Sequence, residues 1–240
     1  KEIVDLTDEE AERAARMIAD RGLSVYCMST VQFHANVELG EGVFREEHLG
    51  CIERTIAVAR ILRPDLVRLL AAMTERRTEV PDAIAYVKSD HPWLINQYRS
   101  AIEQIAAAGF RVTIENECRG CIWTNPDEVV SLFDELDCGE SVNLTWDVQN
   151  MWQMGTFPSL EVYAQLKPLL AYYHLKGGLA GDGTSDLKWK SSLEDASWPV
   201  EEITSKVVSD GVSPVICLNG SHGKRKKNYD YEGVTERDLA

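Results

Sequence analysis

Between Phe110 and Lys176 the chain carries three short β-type runs, and each ends on side chains able to bind a metal. FRVTIENE closes on Glu115, Asn116 and Glu117; SVNLTWDVQN closes on Asp147 and Asn150; LLAYYHLKGG closes on His174 and Lys176. Helical patterns at 126–136 and 159–169 separate the runs. Strand–helix–strand–helix–strand at this spacing predicts consecutive parallel βα units. Polar groups at the carboxyl ends of such strands are where a barrel or an open α/β sheet keeps its chemistry. A glutamate, an aspartate and a histidine brought by three neighbouring strands make a candidate divalent-metal site.

The rest of the chain extends the same alternation. Thr7 and Glu10 read as a capping box opening a helix that Gly22 stops. GLSVYCMST, 22–30, predicts a strand whose exit loop carries His34. A helix over 46–62 follows, then a strand at LVRLLAAM, 66–73, with Arg68, Arg76 and Arg77 at or beyond its end. A long helix over 91–108 leads into the run at Phe110. Beyond a glycine-rich loop at 177–185, LKWK reads as a short strand, and Pro199 starts a helix to about residue 209. SPVICLNGSHG, 213–223, is a last strand ending on Asn219 and His222, and a helix begins at Glu232. Seven strand candidates with helices between them predict one domain over 1–240. Its expected fold is a (β/α)8 barrel without its first strand, which would lie upstream of Lys1, and without most of its last helix.

A chain of 240 residues with 44% hydrophobic content can bury one core of that size. The net charge of −14 argues against a nucleic-acid surface, which needs a basic stripe along the phosphates. The one dense basic run, Lys224–Lys227, reads as a solvated loop. Six cysteines scattered among strands and helices suit a reduced, cytoplasmic setting better than a disulfide scaffold. No apolar run approaches the roughly 18–20 residues of a membrane span.

The strings IENE, WDVQN and YYHLK, with helices between them, resemble the sugar phosphate isomerase/epimerase superfamily. The likeness runs from the LTDEE helix to SHG and is strongest from Phe110 to Lys176. It implies the xylose-isomerase-like TIM barrel, a fold that also contains an AP-endonuclease branch. It further implies metal ligands at Glu115, Asp147 and His174, with Asn150 beside the metal or the substrate. The family's fourth ligand is a glutamate at the end of the last strand, where this chain has Asn219. An amide oxygen can ligate a hard cation but cannot exchange a proton, and His222 is the other donor nearby. A second departure is the glycine pair after HLK, where the family often has an aspartate.

Each candidate has a plainer alternative. Glu115 alone would be a strand-end carboxylate in an ion pair, and His174 alone a satisfied core histidine. Together with Asp147 they read as ligands for Mn²⁺, with Mg²⁺, Co²⁺ or Zn²⁺ as alternatives. Lys176, Asn150, Glu117, His34 and Arg68 are candidates for holding a sugar's oxygens. Arg76 and Arg77 read more simply as surface ion pairs, and His48 and His91 as helix-surface residues. Cys118 and Cys121 form a single C-x-x-C, a weak zinc or redox signal, and read as loop thiols. Trp123, Trp146, Trp152 and Trp189 serve either sugar stacking or core packing.

The expected function is a metal-dependent isomerase or epimerase of carbohydrate metabolism acting on a sugar, keto-sugar or cyclitol. Glu115 would be the general base, with His222 as a second acid/base. A lyase or dehydratase shares the proton abstraction and is the alternative, and a non-catalytic sugar-binding barrel is a third. An endonuclease needs more histidines than the five present and a basic face. The expected partners are a small sugar-like substrate, no nucleic acid and no membrane; a homo-oligomer is left open, since the outer helices of a barrel make many kinds of interface.

Overall fold

Thr7 and Glu10 cap the first helix, α1 (Asp8–Ala19), reciprocally. The Glu10 N–H donates to the Thr7 hydroxyl at 3.2 Å, and the Thr7 N–H to the Glu10 carboxylate at 3.0 Å. A cap of this kind contributes about 1 kcal/mol by pairing donors that a helix start leaves open. The computed structural model of the chain describes residues 1–183, 187, 188 and 192–219. His222, Trp189, the run Lys224–Lys227 and the helix expected from Glu232 lie outside the described residues.

The described residues pack as two compact units. The first comprises 1–115, 120–123 and 131–143. Its strands are β1 (Cys27–Ser29), β2 (Leu66–Leu70) and β3 (Arg111–Glu115), parallel and in that order. Cys27 stands opposite Leu66, Leu66 opposite Arg111, and Leu70 opposite Glu115. Apart from Arg68, β2 is an unbroken buried run, the pattern of a parallel strand covered on both faces. Helices α2 (Glu41–Glu47), α3 (Ile52–Leu62), α4 (Ala83–Asp90) and α5 (Trp93–Ala107) supply the covering. On α5, Leu94, Tyr98, Ala101, Ile102 and Ile105 are buried at spacings of three and four, one face of a helix turned to the core.

The helix expected over 46–62 is divided into α2, a short 3-10 turn at Leu49–Cys51, and α3. Gly50 lies in the break, where its low helix propensity makes interruption cheap. Asp82 caps α4, a helix that lies before the one expected over 91–108 and was not itself expected, through its carboxylate and the Ala85 N–H at 2.9 Å. His48 and His91 are buried rather than on a helix surface. Each follows the last residue of a short helix, where the chain turns and folds the ring inward. His48 packs on Phe44 and Phe33, with ring centroids 4.8 and 5.9 Å away, and His91 Nε2 lies 2.9 Å from the Tyr86 hydroxyl.

The second unit comprises 116–119, 124–130 and the described residues from 144 on. The helix α6 (Pro126–Leu136) precedes β4 (Val142–Asp147), and α7 (Val148–Gln153) and α8 (Leu160–Leu166) lead to β5 (Leu170–Leu175). Two short strands, β6 (Leu179–Ala180) and β7 (Leu187–Lys188), come next, then α9 (Val200–Asp210) and β8 (Ile216–Leu218). Strands β4, β5 and β8 are parallel neighbours, with Asp147 opposite His174 and His174 opposite Cys217. Trp146 sits in the core with its ring centroid 5.6 Å from Tyr173 and 6.3 Å from Tyr163. The expected LKWK strand is real over Leu187–Lys188, but it pairs antiparallel with β6 as a small hairpin. Two-residue strands are too short to serve as barrel staves, so six parallel strands, not seven, are present among the described residues.

Candidate metal centre

Asp147 ends β4 because its carboxylate starts the next helix. Oδ1 accepts the N–H groups of Gln149 at 3.0 Å and Asn150 at 2.9 Å, so α7 begins where sequence patterning carries the strand on to Asn150. The main chain of Asp147 is held as firmly. Its N–H donates to Asn116 Oδ1 at 2.8 Å, and its C=O accepts from Asn116 Nδ2 at 2.9 Å. The other carboxylate oxygen, Oδ2, lies 2.6 Å from Lys176 Nζ and 3.6 Å from His174 Nδ1. Burial by itself would raise the pKa of this fully enclosed carboxyl. The Lys176 ammonium and the His174 imidazole outweigh burial and hold Asp147 well below the usual carboxylate range, so it is an anion.

His174 and Lys176 come from the end of β5 and the residue after it, and both are buried. The next three carbonyls are each captured. Trp198 Nε1 donates to the Lys176 C=O at 3.2 Å, Gln149 Nε2 to the Gly177 C=O at 2.8 Å, and the Ser197 N–H to the Gly178 C=O at 3.0 Å. Gly178 has φ 153°, and a Cβ there would lie 2.9 Å from both the Trp152 ring and the Leu187 side chain. Close packing under Trp152 accounts for a glycine at this point after HLK.

Asn150, Glu117 and Cys118 gather around the same strand end. Asn150 Nδ2 donates to the Asn116 C=O at 3.2 Å and lies 3.5 Å from Glu117 Oε2. Burial, with the Glu117 carboxylate beside it, pushes the Cys118 thiol up, away from the thiolate that redox or zinc chemistry needs. Asn219 follows β8 directly, and its N–H donates to the Leu175 C=O at 2.9 Å. The β8 residue opposite His174 is Cys217, which the sequence reading passed over.

In the first unit, Glu115 is buried at the end of β3 and forms an ion pair with Arg68 through Oε2. Arg68 also donates to the Thr30 C=O at 3.1 Å, so its guanidinium binds the protein's own oxygens. His34 is half-buried in the turn after β1. Arg76 pairs with Glu79 and Asp90, the surface ion pairs of the plainer reading, whereas Arg77 is half-buried and donates to the Val80 C=O. Cys121 is buried with its thiol 3.2 Å from the Trp123 C=O. Trp123, Trp146 and Trp152 are buried core residues.

Within the second unit Asp147 and His174 are both buried, with His174 Nδ1 3.6 Å from Asp147 Oδ2, and in the first unit Glu115 is buried at the end of β3. A carboxylate oxygen and an imidazole nitrogen are donors that divalent cations of intermediate hardness take. The residues that sequence reasoning left unused are Asn116, Gln149 and Trp198. Asn116 stands between the glutamates of IENE, whereas nothing local marks Trp198, whose partner is 22 residues away.

No curated protein matches the chain. Among solved structures, it is similar to the probable 3-DHS dehydratase AsbF from Bacillus anthracis, involved in petrobactin synthesis, with TM-score 0.69 and 15% identity. That match covers 97% of this chain and 81% of the other. A xylose isomerase-like TIM barrel protein from Mycobacterium smegmatis, in complex with magnesium, matches with TM-score 0.68 and 17% identity, covering 98% of this chain and 79% of the other. A D-tagatose 3-epimerase-like protein matches with TM-score 0.61 and 13% identity, covering 97% and 83%. At these identities the likeness shows the fold alone. A family model described as the xylose isomerase-like TIM barrel matches residues 2–210, and the chain belongs to that family.

Proposed function

We propose that this chain is a divalent-metal-dependent enzyme that removes a proton beside a carbonyl group of a sugar, keto-sugar or cyclitol, acting as an isomerase or epimerase. The donor set carries the proposal: Glu115, Asp147 and His174 are each buried at or beside the carboxyl end of a parallel strand, and two carboxylates with an imidazole are what a divalent cation takes. Mn²⁺ is the metal we favour, with Mg²⁺, which the Mycobacterium smegmatis relative holds, Co²⁺ or Zn²⁺ as alternatives. A metal held there would polarise two adjacent substrate oxygens and stabilise the charge that develops on them.

The remaining roles fall to the chain's own groups. Glu115 takes the proton, with Arg68 fixing the direction of its carboxylate. Lys176 donates to a substrate oxygen, and Asn150, Glu117 and His34 hold hydroxyls. Asn219 supplies a fourth oxygen donor, and His222 serves the opposite face or the leaving oxygen. An amide at 219 leaves Glu115 as the main base, which suits moving one proton between neighbouring carbons. A dehydratase is the second reading, because an elimination starts with the same proton abstraction by one base, and the fold is shared with a probable 3-DHS dehydratase.

Deuterium exchange tests both readings. The Mn²⁺-loaded protein, incubated in D₂O with D-tagatose, D-fructose and a keto-inositol, should exchange one carbon-bound proton, read by NMR. Chelation should abolish the exchange, and Glu115→Gln should lower it by about 10²–10⁴-fold. A new alkene proton signal would identify the dehydratase. Failure of the purified protein to retain any divalent cation would refute the metal-dependent reading.

A further inference from the structure

Three residues of the second unit are tied into a closed ring, each binding the main chain of the next through its side chain. The Asn116 amide holds the Asp147 peptide groups at 2.8 and 2.9 Å. The Asp147 carboxylate accepts the Asn150 N–H at 2.9 Å. The Asn150 amide donates to the Asn116 C=O at 3.2 Å. All three residues are buried.

The ring demands particular chemistry at 116. Asp147 offers Asn116 one peptide donor and one peptide acceptor, so the facing side chain must present one acceptor and one donor at fixed spacing. A primary amide does this in one orientation only. A carboxylate would set two acceptors against the C=O and add a charge beside Asp147. An apolar side chain would leave two buried main-chain groups unpaired, each costing about 1–3 kcal/mol. A glutamine would carry the amide one methylene too far.

We propose that Asn116 is a positioning residue for the metal site. It fixes the main chain of Asp147, the α7 amides fix Oδ1, and Oδ2 is thereby aimed at the side of the strand end where His174 and Lys176 stand. Because Asn116 follows Glu115 directly, the peptide that carries one carboxylate ligand also sets the direction of the next. The inference rests on the reading of Asp147 as a ligand. The rigidity of the ring fits that role, since outer groups that orient ligands commonly alter metal affinity by about 10–100-fold when removed.

The test uses Co²⁺ as the probe, with titration calorimetry for affinity and visible absorption for ligand geometry. Wild type, Asn116→Ala and Asn116→Ser are compared, with Tyr163→Phe as a control that removes a hydrogen bond to Asp210 and none of the ring's own. Asn116→Ala should bind Co²⁺ about 10–100-fold more weakly with an altered absorption envelope. Asn116→Ser, which can still satisfy one of the two peptide groups and is the variant to use should the alanine variant fail to fold, should fall between. Tyr163→Phe should melt earlier with an unchanged Co²⁺ spectrum. Folded Asn116 variants that bind Co²⁺ with wild-type affinity and spectrum overturn the positioning role alone. A wild type that binds no Co²⁺ overturns this proposal together with the metal reading.

Discussion

The Lys176 ammonium lies 2.6 Å from Asp147 Oδ2, and both side chains are buried. A cation and an anion enclosed together are tolerable only as a pair, since removing one partner leaves the other charge stranded. The pair therefore couples the stability of β4 and β5 to the chemistry of the site. Lys176→Met keeps the length of the side chain and removes its charge. Its expected cost is about 3–5 kcal/mol, read from urea midpoints. Saturating Mn²⁺ should return part of that loss by supplying a cation to Asp147. A loss below about 1 kcal/mol, or one that Mn²⁺ deepens, would contradict this account.

Arg68 stands in the same relation to Glu115 within the first unit. Arg68→Ala strands the buried Glu115 carboxylate and also removes a donor from the Thr30 C=O. The expected loss is again about 3–5 kcal/mol, with Arg68→Lys less damaging because one point charge remains. If Arg68 instead gripped substrate without supporting Glu115, its alanine variant would unfold at the wild-type denaturant concentration.

These two ion pairs show where sequence reading reaches and where it stops. The strand ends at Glu115, Asp147 and His174 were legible because each residue stands at or beside the end of a largely buried β run, and burial of such a run fixes where its polar end must emerge. The alternation of strands and helices was legible for the same reason. Arg68 was visible only as a charge near a strand end, since its partner is 47 residues away. The end of β4 was misplaced because Val148, Gln149 and Asn150 suit a strand as well as a helix, and the choice is made by Asp147 Oδ1. The ring through Asn116 joins positions as far as 34 residues apart, and no local spacing rule encodes it. LKWK looked like a stave because alternation alone does not say whether a short strand pairs parallel or folds back.

Gly178 links the loop after β5 to the Trp152 ring. With φ at 153° and only 2.9 Å available to a Cβ, alanine there strains the backbone and pushes on both Trp152 and Leu187. Gly178→Ala should cost about 1–3 kcal/mol. It should also shift tryptophan fluorescence, because Trp152 is fully buried where the Cβ must enter. The neighbouring Gly183→Ala, with open space around its Cβ, is the matched control and should change neither quantity. Equal behaviour of the two variants would show that close packing does not dictate glycine at 178.

His48 gives the fold a dependence on pH that can be assigned in sign. Burial first, and the neighbouring His34 second, push its imidazole down from the ordinary value of 6.5 to about 4. The ring is packed on Phe33 and Phe44, so the folded chain keeps it neutral. Between pH about 6.5 and about 4 the unfolded chain therefore binds a proton that the folded chain refuses. Stability must rise with pH across that window, being fully present above about pH 6.5 and lost progressively as pH falls toward 4. Below about pH 4 both states are protonated and His48 adds no further slope. His48→Phe preserves an aromatic ring for the packing and abolishes the titration. Carboxylates also titrate in this range, so the quantity to measure is the difference in urea midpoint between wild type and variant at pH 7.5, 6.0, 5.0 and 4.0. That difference should move steadily in favour of His48→Phe as pH falls. Parallel curves for the two proteins would show that His48 is protonated in the folded state at the same pH as in the unfolded chain.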